Sequence, residues 1–170
     1  MAVMPTAAEI TAEWQALAEQ SGVVYLATEG EDGPLASYAP FVRDQDGALL
    51  ILISALAGHH RNLRRHPRAG VLITENAAQA ANVFALRRLQ LDVRAEPLAR
   101  DEVPRDAAVA ALRTRFGKFV DTLDGLGDFT VFRLWPVSGS YVRGFAQTWR
   151  LSGEGLAVAT PVGARQASED

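Results

Sequence analysis

The chain has 170 residues, of which 48% are hydrophobic, with a net charge of −3 and no cysteine. This length suits one compact domain able to bury a core without covalent staples. The missing cysteines exclude disulfides, thiolate nucleophiles and cysteine-bound metals, and the mildly acidic balance excludes a global basic field for nucleic acid.

Thr6 and Glu9 are spaced as a capping box, and Ile10, Trp14 and Leu17 repeat at helical spacing, so a first amphipathic helix is expected over about 6–20. Gly22 ends it. Strands are expected over residues 23–28, 35–42 and 48–53, joined by the turn-rich stretches GEDGP and RDQDG. A helix over 54–66 follows, then a strand over 69–74 and a long strand over 83–98, where Leu89, Leu91 and Val93 alternate with polar residues. Asp101 is placed to cap a second long helix through Phe116, with Pro104 in its first turn, and a shorter helical piece reaches Leu123. Strands over 129–135 and 140–149 close the pattern, separated by a turn at 136–139, and the Ala/Gly/Ser-rich tail beyond Gly153 is expected to be poorly ordered. This organisation predicts one domain over residues 1–153, a flexible tail over 154–170, and an α+β fold built on a small antiparallel barrel. No apolar run approaches the roughly 20 residues of a membrane span, and the opening MAVMPTAAEI lacks a basic leader region, so a cytoplasmic protein with no membrane or nucleic-acid partner is expected.

The stretch ILISALAGHHRNLRRHP, residues 51–67, concentrates the chemistry. It runs an apolar strand into Ser54, expected at the helix N-cap, and then into His59, His60, Asn62 and three arginines. Free N–H groups at such a junction, with donors in the next two turns, suit an anionic or flat polar ligand. The plainer readings stand beside this one. Leu56 and Leu63 lie seven apart on one expected helix face with both histidines flanking it, so the rings can serve packing alone. Arg61, Arg64 and Arg65 can form a solvated basic face near a helix C-terminus, and Ser54 can be a cap only. Adjacent histidines do not converge on one ion, so no metal site is expected.

The succession GPLASYAP, ISALAGHHRNLRRHPRAGVLI, RRLQLDVRAEPL, GDFTVFRL and YVRGF resembles the pyridoxamine 5′-phosphate oxidase-like split β-barrel superfamily. Within it the chain is most similar to the HugZ/HutZ-type haem-utilisation group. The resemblance implies a six-stranded antiparallel split β-barrel with peripheral helices. It also implies a homodimer with two equivalent cofactor sites in the clefts between protomers. For a flavin-binding member it implies FMN, with Ser37 and Tyr38 along the ring system and Ser54, His59, Arg61 and Asn62 at the phosphate end. Arg88 and Gln90 would then reach in from the neighbouring wall. Ser37 stands where pyridoxamine phosphate oxidases proper carry a basic residue, and Ala57-Gly58-His59 stands near their Ser-Arg-Lys clamp, so that particular oxidation is not expected.

The leading functional expectation is therefore an FMN-dependent oxidoreductase acting on an undefined small-molecule substrate. A second is a haem-binding or haem-degrading protein. Haem-degrading members supply a histidine from a C-terminal segment, and no histidine follows His66, so His59 or His60 is the candidate iron ligand in that case. A third is a cofactor-free split-barrel binding module.

Overall fold

The computed structural model describes residues 4–163. The first helix, α1 (Ala7–Ser21), starts where the sequence places it: the Thr6 side chain accepts from the Glu9 backbone and Glu9 reaches back to the Thr6 N–H at 2.7 Å. Gly22, at φ 74°, ends α1 in the left-handed conformation that glycine adopts without a Cβ penalty. Strands β1 (Val23–Gly30), β2 (Gly33–Arg43) and β3 (Leu49–Ser54) form the expected meander, and the short helix α2 (Gly58–Arg65) follows.

Next come β4 (Arg68–Thr74), β5 (Arg88–Leu98), helices α3 (Val103–Phe116) and α4 (Phe119–Gly125), and strands β6 (Phe129–Gly144), β7 (Gln147–Ser152) and β8 (Val158–Val162). The sheet order is β3-β2-β1-β4-β5-β6-β7-β8, and an additional β3–β6 pairing closes its first six strands into an antiparallel barrel. The architecture is the expected α+β split barrel.

Four local expectations are corrected. Residues 83–87 are not strand. Instead the segment between β4 and β5 forms two short 3-10 turns, each capped by an asparagine side chain, Asn76 and Asn82. The turn expected at 136–139 is a bulge inside one continuous strand: Asp92 pairs with Ser138 and Val93 with Pro136, which leaves Val137 unpaired. Proline is tolerated there because a bulge does not require its missing donor. Gly139 is required beside it, since a Cβ would lie 2.6 Å from the Gln90 carbonyl oxygen. The expected strand over 140–149 is broken at Phe145 and Ala146, where Ala146 sits at φ 58°. Beyond Gly153 the chain does not loosen at once. A 3-10 turn leads into β8, which pairs antiparallel with β7, while residues 164–170 of the expected tail lie outside the described residues.

Two apolar clusters hold these layers. Alternate residues of the barrel strands point inward, and Ile10, Trp14, Leu17 and Ala18 of α1 pack against them with Leu63 of α2. The opposite residues of β2, β3 and β6, Val42, Leu50 and Val131, are covered by Ala108, Val109 and Leu112 of α3 and Val120 of α4. What remains uncovered is the outer face of β2-β1-β4-β5, and the residues expected around a cofactor are divided between this face and α2.

Candidate functional site

At the β3–α2 junction Ser54 does not cap the helix. The N-cap is Ala57, with no side-chain hydrogen bond, because α2 begins only at Gly58. Ser54 ends β3, and its hydroxyl donates to Asp128 Oδ2 at 2.6 Å while accepting the Leu56 N–H at 3.1 Å. The Ala55 N–H donates to the Asp128 backbone carbonyl at 2.8 Å, so the segment before β6 is fastened to this junction twice. Leu56 is not part of a packed stripe. It precedes the helix and is 84% exposed, whereas Leu63 is buried.

The two histidines have different surroundings. His60 Nε2 lies 3.0 Å from Thr130 Oγ1, and its ring meets Phe132 edge to face at 5.4 Å. Burial, then the charges of Arg64 and Arg61, hold His60 below the ordinary imidazole range against a smaller upward pull from Asp128. The His59 ring makes no hydrogen bond among the described residues. Burial, followed by His60, keeps it below its ordinary value, so it is neutral at pH 7 with both nitrogens free of protein partners.

The Asn62 amide is engaged within the chain. Its Nδ2 donates to Thr28 Oγ1 at 3.0 Å, and Thr28 is buried. The amide also lies against Gly30, where a Cβ would approach Nδ2 to 3.2 Å. Asn62 therefore ties α2 to β1. Arg61 is exposed and donates to the Leu56 carbonyl at 3.1 Å, which straps the loop before the helix.

The remaining candidates lie on the barrel wall. Ser37 points inward, opposite Leu26, with its hydroxyl buried and without a partner. Tyr38 points outward and is exposed beside Tyr25. The cross-strand row continues from Tyr25 to Leu72 and Gln90, so Tyr38 and Gln90 share one face. Arg88, one row further along, donates to the Leu86 carbonyl at 3.1 Å. This face contains a trough of about 680 Å³ floored by Ala27, Ala36, Gly70 and Leu72. A second cleft of about 730 Å³ adjoins it through Tyr25, between the end of α1 and the β4–β5 segment. Within one chain, then, the α2 group and the Arg88–Gln90 group stand at different ends of the outer face.

Sequence reading missed Thr28, Thr130 and the Ser54–Asp128 bond, all contacts made by the fold across 34 to 74 residues. Trp149 and Tyr141 are buried core residues and face no ligand cleft lined by the candidate residues. No group of three or more His, Cys, Asp or Glu side chains capable of holding a metal occurs among the described residues. No helix of the described residues is long and apolar enough to cross a membrane.

The family model for pyridoxamine 5′-phosphate oxidase matches residues 10–143, from α1 to the end of the barrel. The chain belongs to the pyridoxamine 5′-phosphate oxidase family. Among relatives in this family, it is 38% identical over 139 residues to a Vibrio cholerae protein named heme oxygenase HutZ, covering 81% of this chain and 78% of that one. The crystal structure of HutZ, described as a heme storage protein from Vibrio cholerae, superposes with TM-score 0.69 at 36% identity, covering 74% of this chain and 88% of that chain. Campylobacter jejuni ChuZ matches with TM-score 0.85 at 27% identity over 98% of this chain and 68% of its own. A heme binding protein from Mycobacterium smegmatis matches with TM-score 0.68 at 28% identity over 92% of this chain and 62% of its own. These relatives overturn the leading expectation of an FMN-dependent oxidoreductase. Family membership and fold are as expected, but the named relatives at 28–38% identity are haem proteins, and FMN gains no support from them.

Proposed function

We propose that this protein binds haem. The observation that carries the reading is the 38% identity, over 81% of the chain, to a protein named heme oxygenase HutZ. The chemistry of the α2 end fits such a group. His59 offers a neutral imidazole with no competing hydrogen bond among the described residues, the form that ligates iron. His60 is the weaker candidate because Thr130 and Phe132 already engage its ring. Leu56 supplies exposed apolar surface, and Arg61 and Arg64 supply guanidinium groups suited to carboxylates. Bound haem would supply iron-centred oxygen chemistry, while the protein's part is to hold it, orient it and limit its contact with water. The partner in this reading is a second copy of the chain, with the site between the two.

Titration of the purified protein with haemin and, in parallel, with FMN tests this. A saturable Soret band at one haemin per chain is expected, with His59→Ala weakening and shifting it more than His60→Ala. Preferential FMN binding, or an unchanged haemin spectrum in both variants, overturns the reading or its ligand assignment respectively. Adding a reductant under air separates breakdown from storage: Soret loss with iron release marks a haem-degrading protein, and a stable spectrum marks a storage protein.

A further inference from the structure

Helices α3 and α4 cover β2, β3 and β6, on the other side of the barrel from the trough. They run antiparallel, since Arg105 near the start of α3 pairs with Asp124 and Arg113 near its end pairs with Asp121. Their inner residues, Ala108, Val109 and Leu112 with Val120, are buried. The outer side is apolar as well. Phe119, at the turn between the helices, is 67% exposed, and Leu126, seven residues on and so on the same side of α4, is 62% exposed. Val103, at the start of α3, is 80% exposed, and Ala107, Ala110 and Thr114 continue its row at helical spacing, all of them exposed. A helix pair that is apolar on both sides has a second contact to make.

Charge indicates what that contact is. Residues 100–126 carry five acids and five cations, so this face has no surplus positive charge to meet an anionic lipid surface. The two ion pairs use two of each. Of the rest, Asp101, Glu102, Asp106 and Arg100 stand at the α3 start, and Arg115 and Lys118 at the turn, none of them in an ion pair among the described residues. Glu19, whose backbone carbonyl takes the Arg115 guanidinium, has its carboxylate beside Arg43. One end of the hairpin is therefore net negative and the other net positive, by two charges each. The complement of such a face is the same face turned end for end.

We propose that a second copy of this chain docks here, face to face, about a two-fold axis that lies in the contact plane and crosses the helices at right angles. This axis stacks α3 antiparallel on its own copy, with Ala110, at mid-helix, nearest the axis and small enough for the two backbones to approach closely. It sets Phe119 against Leu126 of the second copy and Lys118 toward its Asp101. An axis along the helices would instead bring like-charged ends together. The contact leaves the trough and α2 open, so it stands apart from the haem reading and from any self-association on that side.

The chain has no cysteine, so an introduced thiol reports alone. Ala110→Cys, oxidised and run on a non-reducing gel, is expected to give a reducible covalent dimer, because the axis brings position 110 within disulfide reach of its own copy. Adding Phe119→Asp to that variant is expected to raise the protein concentration needed for half-maximal cross-linking by about tenfold or more, as loss of an aromatic anchor does. Lys118→Asp should raise it too, and adding Asp101→Lys should bring it back. Cross-linking through Ala36→Cys, on the trough, with none through Ala110→Cys would put self-association on the other side and overturn the proposal. So would the absence of a covalent dimer from either variant, or an Ala110→Cys yield indifferent to Phe119→Asp and to the charge swap. Phosphatidylglycerol vesicles that pellet the chain while Ala110→Cys stays uncross-linked would make this a lipid-docking face and overturn it likewise.

Discussion

Ser54 and Asp128 are joined by a 2.6 Å hydrogen bond that links the end of β3 to the residue before β6, 74 positions away. The bond extends the β3–β6 closure past its last pair, Ser54 with Phe129, at the end of β3. Removing the hydroxyl with Ser54→Ala leaves a carboxylate without its donor and is expected to cost about 1.5–3 kcal/mol, the range for a hydrogen bond to a charged group. Asp128→Asn should cost less, because the amide oxygen still accepts. Denaturant unfolding of the two single variants and the double variant checks this: additive losses would show that the residues do not act as a pair.

Asn62 is the fastening of α2 to the barrel. In Asn62→Ala the buried Thr28 hydroxyl loses its donor, and a loss of about 1–2 kcal/mol is expected. Exchange of the α2 amides should rise in the same variant, since the helix is only eight residues long and depends on tertiary contacts. Unchanged α2 protection would contradict the anchoring role.

Glu75 and Arg87 clasp the ends of the β4–β5 segment. The Arg87 backbone N–H donates to Glu75 at 2.8 Å and its Nε at 3.0 Å. The backbone bond, with the Arg87 side chain adding to it against a smaller cost of burial, holds the Glu75 carboxyl below its ordinary 4.5. A carboxyl lowered in the folded state stabilises above its unfolded value and loses that contribution as pH falls through the folded one. The Arg87 amide is therefore expected to lose hydrogen-exchange protection, after correction for intrinsic rates, as pH falls below about 4.5. Glu75→Gln should remove this pH dependence; a variant that retains it points to another group.

Arg105 is 4% exposed and ion-paired to Asp124, locking α3 to α4. Asp124→Ala strands a buried guanidinium and is expected to destabilise by about 3–5 kcal/mol, whereas Arg105→Met together with Asp124→Ala should recover much of that loss. Thermal unfolding of both variants decides, and a double variant worse than the single would refute the stranded-charge argument.

Features fixed by neighbours in sequence were legible before the fold was known. The α1 capping box, the Gly22 stop and the alternation in β5 depend on residues within a turn or two of each other. The barrel class followed from the resemblance of the longer segments. What escaped was set by distant partners. Ser54 has the composition of a helix cap, yet its hydroxyl is taken by Asp128. Pro136 and Gly139 have the composition of a turn, yet pairing with β5 on one side and with β7 further along carries the strand through them as a bulge. At the site, His59 and His60 are adjacent in sequence and became distinguishable only when Thr130 and Phe132 were brought to one of them. The choice between flavin and haem was not legible at all, since neither cofactor's ligands form a local pattern in this chain.

Strand β8 changes how the molecule meets its neighbours in a crowded solution. Closure through β3–β6 leaves unpaired ladder groups along Gly33–Pro40 of β2, which meets β3 only from Phe41 to Arg43, and on the rim of β8. There Pro161, paired with Trp149, has no N–H to offer an incoming strand. Pro34 and Pro40 interrupt the β2 edge in the same way, so both free edges are poor templates for edge-to-edge aggregation.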